Sequence, residues 1–145
     1  MSIADGVIAG LVAGIAMGLA SDVGYRLGLF KSSLLVIDGS FALKFAGGAG
    51  NRLNPLLLGV PIHIVTSIVF GIIYYLIVWG LDLDGKSAAV IAPYVCFLWL
   101  AMLFGALPVA GQGLMGSKLA GNARLEQLVL HILFGIVFWG MMQAL

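Results

Sequence analysis

The sequence predicts an all-α fold: a four-helix transmembrane bundle with an amphipathic interfacial segment between helices one and two. Three observations carry the prediction. Apolar residues make up 62% of the 145 positions, and the mean hydropathy is +1.16, far above the roughly 45–50% apolar usage of soluble domains. These residues fall into four runs, each long enough to cross a bilayer core at roughly 20 residues per helix. The seven basic and six acidic side chains collect at the ends of the runs and between them. One integral membrane domain over 1–145 follows, with helices at 3–28, 55–80, 87–110 and 123–144.

The first run lacks a basic leader. It is followed by Asp22 and Arg26 instead of a small-residue cleavage site, so it reads as a span of the mature protein and not a signal peptide. Gly6, Gly10, Gly14 and Gly18 recur every fourth residue along it, continued by Asp22 and Arg26. Small residues at this spacing let a second helix approach closely, which is how membrane helices associate where burial supplies little driving force. Such a row drifts around the helix by about 40° per step, so its two ends need not face one neighbour. Asp22 and Arg26, one turn apart, can pair on the helix surface.

The first connection, 30–54, is mixed in character. Leu34, Leu35, Val36, Ile37, Phe41, Leu43 and Phe45 alternate with Lys31, Ser32, Ser33, Asp38, Ser40 and Lys44. That pattern suits one or two short amphipathic pieces lying in the membrane interface, broken at Asp38-Gly39. Gly47-Gly48-Ala49-Gly50 reads as a flexible run before Asn54-Pro55, a helix-starting pair.

The second connection, 81–86, is a tight turn on Asp84-Gly85. Its Asp-Leu-Asp-Gly opening lacks the remaining ligands and closing glutamate of a calcium loop. Tyr74, Tyr75, Trp79 and Trp139 suit an aromatic belt near one membrane face, whereas Trp99 sits deeper. Pro61 and Pro93 are tolerable inside membrane helices, and Pro108 with Gly111 and Gly113 marks the end of the third. The G-x-G-x-x-G at 111–116 follows a membrane helix and not a strand, so it is no dinucleotide fingerprint. The segments Ile68 to Tyr75 and Ile132 to Trp139 resemble one another, as two duplicated helix hairpins would.

Charge placement sets an expected orientation. Arg26, Lys31, Lys44 and Arg52 lie at the first connection and Lys118 and Arg124 at the third, against Lys86 alone at the second. The positive-inside bias then puts connections one and three in the cytoplasm and both termini outside. Cys96 is the one cysteine and cannot pair within the chain. The net charge of +1 identifies no partner by itself. The expected partners are the lipid bilayer and, through the glycine face, further copies of the chain or a larger membrane complex; no nucleic acid is expected.

Two polar residues stand inside apolar runs. His63 and His131 each lie eight residues into the second and fourth helices, which run in the same direction, so both sit about 12 Å below the cytoplasmic face. Asp22 and Glu126 approach that layer from shallower positions, and Thr66 and Ser67 add hydroxyls one turn deeper. Ionisable groups at such depth are functional candidates. Four readings fit. His63 and His131 could be axial ligands of a haem b in the bundle, with Arg26 or Arg124 near its propionates. They could hold a metal ion with Asp22 or Glu126, although Glu126 and His131 are five apart, off the three or four that shares a helical face. The same layer could relay protons or ions. Or the histidines could make structural hydrogen bonds between helices. No serine or cysteine has a histidine and an acid at credible spacing, so no catalytic residue is assigned and the reading leans away from an enzyme.

His63-Ile64-Val65-Thr66-Ser67-Ile68-Val69-Phe70-Gly71-Ile72-Ile73-Tyr74 gives the pattern H-x3-S-x6-Y. With Leu107-Pro108, the glycine-rich loop after it and Glu126 to His131, it resembles the YagU-like family of uncharacterised bacterial inner-membrane proteins. The resemblance covers mainly helices two to four. It implies a bacterial inner-membrane location and a recurrent pairing of the two histidines, and it brings no reaction. The expected role is a noncatalytic accessory or structural subunit of a membrane assembly; the alternative is a small proton, ion or solute carrier.

Overall fold

The computed structural model describes residues 1–45, 54–119 and 121–145. Four helices long and apolar enough to cross a membrane, Ile3–Arg26, Pro55–Gly80, Ala88–Val109 and Ala123–Ala144, coincide with the four apolar runs to within two residues, the scatter expected of helix ends. Among the described residues every regular element is helical.

Local sequence explains the boundaries. Helix α1 (Ile3–Arg26) opens on a capping box in which Ser2 and Asp5 satisfy each other's backbone N–H. It closes before Gly28, whose φ of +74° suits a residue without Cβ. Helix α3 (Pro55–Gly80) starts at Asn54, whose side chain accepts from the Leu56 N–H, with proline first in the helix. Helix α4 (Ala88–Ala101) is capped by Ser87, after a turn in which Asp84 Oδ1 accepts from the Lys86 N–H at 3.0 Å. It continues as a π-helical stretch, Met102–Ala106, into the short α5 (Leu107–Val109). There the Leu107 N–H reaches back to the Met102 carbonyl, next to Pro108, which has no N–H to give. Helix α6 is Ala123–Ala144.

The first connection differs from expectation. Helix α2 (Leu34–Phe45) runs unbroken through Asp38-Gly39. Gly39 serves close approach there and not a turn: a Cβ on it would overlap the Pro55 carbonyl, and one on Gly59 would overlap the Leu35 carbonyl. The helix is therefore clamped against the start of α3. Its first turn is held from α1, where buried Ser21 Oγ accepts from the Leu34 N–H at 2.8 Å. The Gly47 to Gly50 run and Arg52 lie outside the described residues.

Helix α1 packs on both α3 and α6, α2 on α3, and α4 on α6. The glycine row forms the α1–α3 seam. A Cβ at Gly10 would strike the Ser67 carbonyl, at Gly14 the Ser67 side chain, and at Gly71 the Gly6 carbonyl. Further along, Gly18 faces His63 of α3 and also Leu35 of α2, so the row meets a second neighbour at its far end. Gly71 and Gly135 hold the same place in the two similar segments, and each faces the span before it, Gly71 against Gly6 and Gly135 against Val95. Tyr74 and Phe138, equivalent in the same sense, meet edge to face at 5.0 Å. Gln143 donates to the Lys86 carbonyl at 2.7 Å, so the end of α6 lies beside the second connection.

Candidate functional site

Where α2 crosses α3, Asp38 reaches His63. Asp38 Oδ2 lies 2.8 Å from His63 Nδ1. The other ring nitrogen, Nε2, lies 3.0 Å from the Gly14 carbonyl of α1. The imidazole can come this close to the α1 backbone because Gly18 is also glycine: a Cβ there would sit 3.1 Å from His63 Cδ2. The histidine is 7% exposed, and it joins three helices, α1, α2 and α3.

These two contacts fix a proton. A backbone carbonyl can only accept, so Nε2 carries a hydrogen and donates it to Gly14. The short contact between Nδ1 and the carboxylate then needs a second hydrogen between them. Either His63 is an imidazolium facing a carboxylate, or a neutral imidazole facing a carboxylic acid. Both forms hold the same proton and have no net charge, which favours them where His63 is buried and Asp38 partly so. Removing it would leave two lone pairs opposed and an unpaired negative charge.

The pair forms part of the wall of a cavity of about 200 Å³ between α1, α2, α3, α4 and α6. His131 of α6 lines the same cavity. Its Nδ1 lies 2.7 Å from the Gln127 carbonyl, one turn earlier, so Nδ1 is the donor and Nε2 carries the lone pair in the neutral ring. Among the described residues Nε2 has no hydrogen-bond partner, and the residue is 7% exposed. The hydroxyls of Thr66 and Ser67 also line the cavity but give their hydrogens to α3 carbonyls, Thr66 to Ile62 and His63 and Ser67 to His63 at 2.7 Å. The π-helical stretch supplies Met102 and Ala106 to the wall. Such single-turn irregularities recur at functional sites because they re-aim side chains that a regular helix would point elsewhere.

The structure thus brings His63 and His131 to one cavity but not the two acids expected with them. Asp22 pairs with Arg26 at 2.6 Å on the surface. Glu126 accepts from the Lys31 N–H and the Ser32 hydroxyl, both at 3.0 Å, and ties the first connection to α6. Asp38 takes their place. In this geometry both ring nitrogens of His63 are engaged, so ligation of a haem iron or a metal ion through either one would require that nitrogen to give up its present contact. No group of three or more histidine, cysteine or acidic side chains placed to hold a metal occurs among the described residues. A 200 Å³ cavity is also below the about 300 Å³ at which drug-sized ligand pockets begin. The glycine-rich loop after α5 closes on itself, with Gln112 N–H to the Leu107 carbonyl and Lys118 N–H to the Gln112 carbonyl, both at 2.9 Å. Away from the cavity, Ser33 Oγ and both side-chain amide atoms of Gln127 are buried without a partner among the described residues.

Asp38 was the residue that sequence reasoning missed. The signal was there: Leu34, Ile37, Asp38 and Phe41 fall at i, i+3, i+4 and i+7, one helical face with a carboxylate in it.

The fold and site define a small helical membrane protein with a largely apolar cavity whose wall carries a short histidine–carboxylate contact. No family model, no curated protein and no solved structure matches the chain.

Proposed function

We propose that this chain is a small multi-pass membrane carrier in which the proton shared by Asp38 and His63 exchanges as a solute enters and leaves the adjoining cavity. The single observation behind this reading is the double contact of His63, which ties one proton to the charge balance of a buried pocket. A pocket with no such group would give no means of coupling. The reading as an accessory subunit drew on the glycine face of α1, and Gly6, Gly10 and Gly14 are covered by α3 within the chain. The excess of basic residues at the first and third connections supports placing the cavity in the cytoplasmic half of the membrane. The likeness to YagU-like proteins supports a bacterial inner membrane.

The test is solute-evoked proton movement. Vesicles reconstituted with the protein and loaded with a pH-reporting dye are exposed in turn to small amines, alcohols and carboxylic acids. At least one class should produce a pH change with wild type and none with Asp38→Asn. No response to any class, or equal responses from both proteins, would reject the carrier reading.

A further inference from the structure

We infer that the cavity takes a small organic cation, a protonated amine of about one ring in size, whose charge replaces the proton shared by Asp38 and His63. This deepens the carrier reading above and rests on it for the direction of exchange. Among the described residues every polar side-chain atom on the wall other than that proton is an acceptor. Thr66 and Ser67 have given their hydrogens to α3 carbonyls. The Nδ1–H of His131 goes to Gln127, and its remaining nitrogen offers a lone pair. Among the described residues no lysine or arginine lines the cavity. A ligand must therefore bring the hydrogens, which excludes carboxylates and other anions that only accept.

Charge selects within the donors. Among the described residues Asp38, His63 and His131 are the titratable groups on the wall, and Asp38 is the only acid. One negative charge can balance either the proton or a cationic ligand, but not both, in so small a volume. A monocation entering beside Asp38 would leave His63 neutral and send the proton to bulk water, so the number of charges is conserved. The rest of the lining suits such a guest. Phe41, Phe70 and Phe134 contribute aromatic rings and Met17 and Met102 thioethers; ring faces attract organic cations, most strongly away from water. Size sets the upper limit. A cavity of about 150 Å³ holds a benzene molecule, so 200 Å³ admits one ring with a short ammonium arm.

Benzylammonium and its neutral isostere benzyl alcohol test this on the full chain in detergent or nanodiscs. Calorimetry in two buffers of different protonation enthalpy reads the protons released per ligand bound. Benzylammonium should bind saturably with release of about one proton, and its Kd should fall about tenfold per pH unit while the site is protonated. Asp38→Asn should weaken it at least tenfold and abolish the proton release. Benzyl alcohol binding as tightly as benzylammonium would overturn the inference in favour of a neutral-donor pocket. So would binding without proton release, or no saturable binding. The proton count is made on wild type, so it decides even if the variant fails to fold. The two readings fail separately: binding with proton release but without vesicle flux leaves the cation site and removes the carrier, whereas flux of another solute class without benzylammonium binding does the reverse.

Discussion

At the scale of single residues, the consequence of the His63 geometry is that two substitutions of Asp38 should behave differently. Asparagine is isosteric and its amide N–H can donate to Nδ1, while His63 keeps its Nε2–H on Gly14. The hydrogen bonds survive and only the exchangeable proton is lost. Alanine leaves a buried ring nitrogen without a partner, which costs about 1–3 kcal/mol. Unfolding in mixed detergent should rank wild type and Asp38→Asn together, with Asp38→Ala lower by that amount; equal stability of all three would show that the contact contributes nothing. The partner was illegible at first because Asp-Gly is a common breaker, and a dipeptide rule outweighed the helical spacing of Leu34, Ile37 and Phe41 around it. Asp22 and Glu126 illustrate the opposite error. Both lie near the right depth along their helices, but Asp22 points to Arg26 and Glu126 to the first connection, and depth alone does not fix which way a side chain faces.

At the scale of elements, the glycines sort by what lies against them. Gly10 sits where a Cβ would strike the Ser67 carbonyl, a backbone atom that cannot swing aside, whereas Gly140 has nothing within 4 Å. Gly10→Ala should force α1 and α3 apart and destabilise by about 1–3 kcal/mol, the range for overpacking. Gly140→Ala should be neutral or stabilise by about 0.5–1 kcal/mol, because alanine is the better helix former. Thermal unfolding of the two variants in one detergent checks both signs, and a neutral Gly10→Ala would remove the close seam. Since Gly14 accepts from His63, the same seam positions the proton pair, and Gly10→Ala should also weaken any solute-evoked proton movement. The seam was readable because spacing of four is a property of one helix. The crossing of α2 over α3 was not, because Gly39 and Gly59 lie on different elements and nothing in either local sequence names the other. The π-helical stretch was half visible: Pro108 announced an end to the helix, but nothing in the local sequence named the lengthened turn before it, in which the Leu107 N–H reaches the Met102 carbonyl.

For the molecule as a whole, four spans were legible because hydrocarbon demands long apolar helices, a constraint strong enough to be written in composition. The even number of spans puts both chain ends on one side of the membrane, and the contact of Gln143 with the Lys86 carbonyl keeps the end of α6 beside the second connection. Which side that is depends on charge. Among the described residues Arg26, Lys31, Lys44, Lys118 and Arg124 lie at the opposite end of the bundle, with Arg52 in the same connection of the sequence and Lys86 alone at the terminal end. Charge bias acts on orientation through the short connections that carry it, and the orientation proposed from it would put the start of α2 and the Asp38–His63 pair nearer the cytoplasm. A topology reporter fused after Leu145 should therefore signal the outer side of the membrane, and one inserted in the first connection the cytoplasm. Moving the bias should move the protein: Lys118→Gln with Arg124→Gln, combined with lysines added at Asp82 and Asp84, should yield a mixed population. A cytoplasmic signal from the Leu145 fusion of the unmodified chain would invert the assignment and place the proton pair in the outer half.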